Sequence, residues 1–406
     1  MSIPTFIPAN EGLRIILSNL PLLPVETRKL LDAHSAVLAK DIIATHDVPP
    51  YDCSSMDGFA LRAADTREAV RVPVSLNVVG ELAAGDSGNF IVQPQTAVRI
   101  MTGASIPEGS DAVLEQELVT IRNGSILLNS AVASGRNIRR KGEDIRVGDC
   151  VLKKGTLLRA FHLGVIASQG IQEVEVFRTP NVSILTTGNE LADVDEKGNV
   201  RRDSNRYSLW GLVRECSGKP ILLNRARDNE QELQEKIQDG LRHDVLITTG
   251  GVSVGKYDFV LNVLEEIGVE IKFWKLRIKP GMPIAFGVYA DRGRRVPVFA
   301  LPGNPVSAGI TFLEFVKPGL QAMQGRQPDP PVALWAISEQ GIPKKDSKRH
   351  FLRGVVRNHN GEFVVRTTGN QSSGVLTSMI EANCLIVLPE DSGPIEQGTK
   401  VEIHLL

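Results

Sequence analysis

Three carboxylates stand where strand-like segments run out: Glu190 in TTGNEL, Asp228 in RARD, and Asp258 just after GGVSVGK. Carboxylates that converge at one sheet edge suit a hard cation such as Mg²⁺. Each also has a plain structural alternative. Glu190 fits a helix-entry region, Asp228 a helix cap, and Asp258 an acid that complements a helix dipole. The segment Gly250–Lys256 fits the opening of a phosphate-binding loop, but Tyr257 stands where a magnesium-binding Ser or Thr belongs. It also fits a nucleophile elbow around Ser253, which would need an Asp and a His later in the chain. The physical expectation common to both is a Gly-rich turn that opens a helix and presents backbone N–H groups to an anion.

Other segments could add to an anion site. KLRIKPG places Lys275, Arg277 and Lys279 on one face if the strand is regular; the alternative is a solvated edge. ALPGNPVSAG makes a rigid turn from Pro302 to Pro305, then a helix start carrying Ser307. Asp203, Ser204 and Asn205 precede a helix and supply either an N-cap or a substrate contact. In SSMDGFAL, Asp57 precedes Gly58 in a tight turn, where a carboxylate commonly makes only an Asx-turn. RIMTGASIPEG carries Thr102 between turns. NIRRKGED sets Arg139, Arg140 and Lys141 beside Glu143 and Asp144, either a mixed-charge surface or a phosphate contact.

The elements that must position these residues fall into regions. EGLRIILSNL has helical periodicity through Leu13, Ile16, Leu17 and Leu20, and VETRKLLDAHSAVLAKDI reads as a second helix. Short strands follow, with a hairpin signal at Asn123–Gly124. From about residue 180 strands and helices alternate, and the strands are continuously apolar. That pattern predicts a three-layer, largely parallel α/β domain with ligands at the strand C-termini. GRQPDPP reads as a linker, and the short strands beyond it as a small β-barrel.

Composition narrows the function. The 406 residues carry 46 Lys and Arg against 47 Asp and Glu, for a net charge of −1, so no global field draws nucleic acid or an acidic membrane. No apolar run approaches the about 18 residues of a membrane span, and the first residues lack a basic-then-apolar signal layout. The 4 Cys residues have neither metal-knuckle nor redox spacing and read as reduced, mostly buried thiols. The expectation is a cytoplasmic protein with no nucleic acid or membrane partner.

In order, VPPYDCSSMDGFAL, RIMTGASIPEG, NIRRKGEDI, TTGNEL, DSNRYSL, DVLITTGGVSVGKYD, IKPGMPIAFG, LPGNPVSAG and TTGNQSSG resemble the molybdopterin molybdenumtransferases, the MoeA and gephyrin E-domain family. The resemblance implies an elongated helical part from residues 1–45 and 145–178, a mixed α/β domain over 46–144, a molybdopterin-binding α/β domain over 179–326, and a C-terminal β-barrel over 327–406. It implies a homodimer whose site is shared between the α/β domain of one subunit and the mixed domain of the other. The reaction implied takes adenylylated molybdopterin and molybdate to molybdenum cofactor and AMP, with Mg²⁺ held by Glu190, Asp228 and Asp258 and with Asp57 in the catalytic set. It implies molybdate contacts from Lys279, Ser307, Arg353 and Ser373, and substrate contacts from Thr102, Arg139, Asp144, Ser253, Lys275, Pro302 and Pro305. Many relatives carry a second Lys in a KPGKP segment; here that position is Met282. Transient contacts with a molybdopterin adenylyltransferase and with molybdoenzyme maturation proteins follow from the same resemblance. The alternatives are the ATP-dependent adenylyltransferase itself and a non-enzymatic, gephyrin-like scaffold.

Overall fold

The computed structural model describes residues 3–86, 89–198, 200–227, 229–251, 259–327 and 333–406. Contacts divide the chain into two units, one of residues 1–40, 154–158 and 174–406, the other of 41–153 and 159–173.

The first unit is built on a seven-stranded sheet in the order Thr5–Ile7, Val269–Leu276, Ala285–Asp291, Arg294–Leu301, Val245–Thr249, Asn181–Thr186, Lys219–Leu222. From Arg294–Leu301 to Lys219–Leu222 every neighbouring pair is parallel, as the apolar runs predict. Val245–Thr249 is buried at every residue, which is why it reads as a continuous run and not as an alternation. Ala285–Asp291 runs antiparallel to both neighbours. Its hairpin turns on Arg292 and Gly293, both at positive φ (47° and 82°), the geometry of a two-residue primed turn. Helices Ser204–Glu215, Glu230–Gly240 and Val260–Ile267 cover the sheet, and apolar residues on both its faces form the core. Helix Ala9–Asn19 forms where periodicity predicts it and buries Ile16.

The second predicted helix does not form. Residues 25–42 hold a strand Val25–Lys29, one 3₁₀ turn Leu30–Ala33 and a strand Val37–Leu38, and both strands pair with Glu173–Phe177. Ser35 takes a φ of 64°, which interrupts any helix, and Leu31 points to solvent. The apolar spacing came from two elements read as one.

At the C-terminal end of this unit, strands Ala333–Ser338, Arg349–His359, Glu362–Thr367, Cys384–Leu388 and Lys400–Leu405 close into a barrel. Ile278–Lys279, from the α/β part, pairs in parallel with Arg349–His350 and ties the barrel to it. The helix after Pro305 contains a π-helical turn, Phe312–Val316, that carries Glu314.

The second unit holds a six-stranded sheet in the order Thr120–Arg122, Ser125–Leu128, Val74–Leu82, Thr96–Ile100, Gly58–Leu61, Ala112–Glu115. The Asn123–Gly124 hairpin forms as expected, with φ values of 45° and 77°. Among the described residues no helix is long and apolar enough to cross a membrane. The four cysteines are all unbonded thiols; Cys150 is exposed, while burial pushes the pKa of Cys216 and Cys384 up to about 11.

His404 of the barrel reaches Glu314 Oε1 through Nδ1 (3.2 Å) and Glu402 Oε1 through Nε2 (3.2 Å). Burial opposes a charged ring, but the two carboxylates outweigh it and raise the pKa above the ordinary value of 6.5. A raised folded pKa gives stability that is fully present below the unfolded value and is lost as pH rises through the folded one. The stability of the native chain to denaturant is therefore expected to fall as pH climbs above 6.5. His404→Gln should flatten that slope, and an unchanged slope in the variant would show that the contact carries no charge.

Candidate functional site

The parallel strands end along one edge, and their loops enclose a cavity of about 350 Å³. Asn181–Thr186 delivers Thr187, Gly188 and Glu190; Val245–Thr249 delivers Gly250 and Gly251; Arg294–Leu301 delivers Pro302 through Pro305. Asp203 caps the adjoining helix by accepting from Arg206 N (3.2 Å), which settles that residue as an N-cap. Asn205 is buried and ties the loops together: its Nδ2 donates to Thr249 Oγ1 (2.9 Å) and to Gly303 O (2.9 Å), and Thr249 Oγ1 donates to Pro302 O (3.0 Å). The cap signal pointed to this segment but not to that role.

Gly250 sits at φ 96°, and a Cβ there would lie 2.7 Å from Thr187 Oγ1 and 2.8 Å from Thr187 O. Only glycine lets these two loops approach so closely. Glu190 is exposed at the cavity, with its carboxylate folded over Gly188, where a Cβ would stand 2.6 Å from Oε2. Asp228, Asp258 and Ser253 lie outside the described residues. Among the described residues no group of three His, Cys, Asp or Glu side chains is arranged to hold a metal ion.

A second cavity, of about 700 Å³, lies between the α/β part and the barrel. It brings together Lys279, Ser307, Arg353 and Ser373 from four separate segments, with Met282 also in its wall. Pro283 and Asn304 line both cavities, so the two adjoin. Arg353 is fully buried. Its Nε donates to Ser378 Oγ (3.1 Å) and its Nη2 to the carbonyls of Asn370 (3.4 Å) and Ser372 (3.2 Å). Its Nη1 has no hydrogen-bond partner, and no carboxylate pairs with the guanidinium among the described residues. Burial holds its pKa below the ordinary guanidinium value. A buried cation so placed costs several kcal/mol unless an anion joins it.

Lys275 does not share a face with Lys279. Its φ is 68°, which breaks the strand alternation, and its ammonium lies 3.7 Å from the centre of the Trp274 ring, outside both cavities. The sequence reading missed His350 and Asp346, which meet at 2.7 Å by the second cavity. No motif marks them; register alone places His350 beside Lys279.

In the other unit, Asp57 and Thr102 meet. Asp57 Oδ1 accepts from Thr102 N and Thr102 Oγ1, both at 2.8 Å. The Thr102 backbone N–H, followed by its hydroxyl, holds the Asp57 carboxyl below its usual range. Gly58 follows because a Cβ there would overlap the Leu114 carbonyl oxygen. Arg139 is exposed and pairs with Cys53 across a short ladder. Asp144 is exposed, and its N–H donates to Val48 O (3.0 Å).

Residues 183–322 match the model described as "Probable molybdopterin binding domain", which agrees with a strand-end ligand site on an α/β sheet. The fold and its cavities thus define a multidomain protein of the molybdopterin-binding class. Residues 7–170 match the MoeA N-terminal region (domain I and II), and 336–406 the MoeA C-terminal region (domain IV). The chain is 38% identical over 404 residues to the molybdopterin molybdenumtransferase of Haemophilus influenzae, covering 96% of this chain and 97% of that one. It is 34% identical over 411 residues to the enzyme of the same name from Bacillus subtilis, covering 99% and 94%. Among solved structures it is similar to the molybdopterin biosynthesis MoeA protein of Pyrococcus horikoshii, with a TM-score of 0.84, 32% identity and coverage of 99% and 100%. The chain belongs to the MoeA family.

Gly250→Ala tests the loop packing. Strain and the clash with Thr187 are expected to cost about 1–3 kcal/mol in denaturant unfolding. A neutral substitution would show that the two loops separate without penalty.

Proposed function

We propose that the chain is a molybdopterin molybdenumtransferase, which inserts molybdate into adenylylated molybdopterin with release of AMP. The observation that supports this most is Arg353, a fully buried guanidinium in the lining of a cavity, with no carboxylate partner among the described residues. A molybdate dianion offers only acceptors. Arg353 and Lys279 bring charged donors, and Ser307 and Ser373 bring hydroxyls, to replace its water shell. On this reading the adjoining cavity takes the pterin and its phosphates; that Pro283 and Asn304 line both cavities supports it.

Glu190 is an exposed oxygen donor that accepts no hydrogen bond among the described residues, and its carboxylate fits a hard cation. With Asp228 and Asp258 it would hold Mg²⁺, which supplies neutralisation of the pyrophosphate charge. Asp57, ionised and oriented by Thr102, serves as an acceptor for the attacking water. On this reading Asp57 acts from a second copy of the chain in a homodimer.

The test is incubation of the full chain with adenylylated molybdopterin, Mg²⁺ and molybdate, following AMP and cofactor together. Glu190→Gln and Asp228→Ala are each expected to slow AMP release about 100-fold or more. Substrate binding with no AMP release by the native chain would overturn the catalytic assignment in favour of a scaffold. Met282→Lys adds a cation to the second cavity, and molybdate affinity is expected to rise several-fold by calorimetry. An unchanged affinity would place the oxyanion elsewhere.

A further inference from the structure

Asp346 stands just ahead of the barrel strand Arg349–His359 and serves two cationic groups at once. Its Oδ1 lies 2.7 Å from His350 Nε2, and its Oδ2 lies 3.7 Å from Lys279 Nζ. It cannot swing away easily. Lys344 is buried, and its ammonium donates to the carbonyls of Asp346 (2.8 Å), Glu390 (3.0 Å) and Ser392 (2.9 Å). Three bonds from one ammonium pin the segment that carries Asp346.

His350 is buried in the wall of the second cavity. A carboxylate only accepts, so Nε2 carries the hydrogen that meets Asp346. A neutral ring then leaves a bare lone pair at Nδ1, which makes no hydrogen bond among the described residues. That lone pair would repel an oxyanion, and a proton at Nδ1 would turn it into a charged donor. In the cavity without its anion the proton is disfavoured. Burial acts first, Lys279 and Lys344 add to it, and together they outweigh Asp346, so the ring's pKa lies below 6.5. Lys348 and Arg353 add positive charge to the same cavity, and the adjoining strand brings only Leu388 opposite His350. A dianion in the cavity reverses this balance.

We propose that the oxyanion enters the second cavity together with one proton, taken from solvent onto His350 Nδ1, and that Asp346 is the positioning residue that presents both His350 and Lys279 to the anion. This deepens the molybdate reading above and rests on it.

The experiment is calorimetric titration of the full chain with molybdate at several pH values, in buffers of differing ionisation heat. Above pH 6.5 the native chain is expected to take up close to one proton per molybdate, with affinity falling up to tenfold per pH unit. His350→Gln should abolish the uptake and flatten the profile. Asp346→Asn keeps an acceptor for Nε2–H but removes the charge, so the profile should move to lower pH; a merely structural role would leave it in place. Molybdate binding without proton uptake by the native chain, or full uptake retained in His350→Gln, would overturn this proposal alone. No molybdate binding at any pH would overturn the oxyanion reading and this proposal with it.

Discussion

A guanidinium buried without a counter-charge constrains the whole barrel side of this molecule. Arg353 lies in the strand Arg349–His359, where a fully desolvated cation is expensive. The chain meets part of that cost with Ser378 Oγ and two backbone carbonyls, and leaves the buried Nη1 without a partner. The segment Asn370–Ser373 wraps this charge, and Val306 N donates to Ser373 O at 3.2 Å, so the same segment touches the helix start of the α/β part. The barrel strand, its covering loop and the Pro305 helix are organised around one positive centre.

A second constraint comes from the sheet. Parallel strands that end together leave their loops stacked at one edge, and the loops need polar ties because they carry unpaired backbone groups. Asn205 supplies those ties to Thr249 and Gly303. Because Pro283 and Asn304 face both cavities, the strand-end site and the barrel-side site share a wall.

Much of this was legible in the chain. The apolar runs predicted the parallel strands, Asn123–Gly124 predicted its hairpin, and the segment Asp203–Asn205 offered an N-cap, which Asp203 supplies. Errors arose where one pattern served two elements. The residues from Val25 to Leu38 carry apolar spacing that fits a helix, yet strand partners far along the chain take both ends. The KLRIK alternation assumed a regular strand, and the positive φ of Lys275 turns that side chain onto Trp274.

By itself the sequence determined the order of elements, the turn chemistry and the residue types that can hold an anion or a hard cation, because these depend on local periodicity and on side-chain chemistry. Only the tertiary structure decided which of those residues share a cavity. Lys279, Ser307, Arg353 and Ser373 meet because Ile278–Lys279 pairs with Arg349–His350 across the junction of barrel and sheet. The same pairing sets His350 next to Lys279, and Asp346 bridges them. Strand register between distant segments carries no local signal, so neither the unmatched charge of Arg353 nor the Asp346 bridge can be read along the chain.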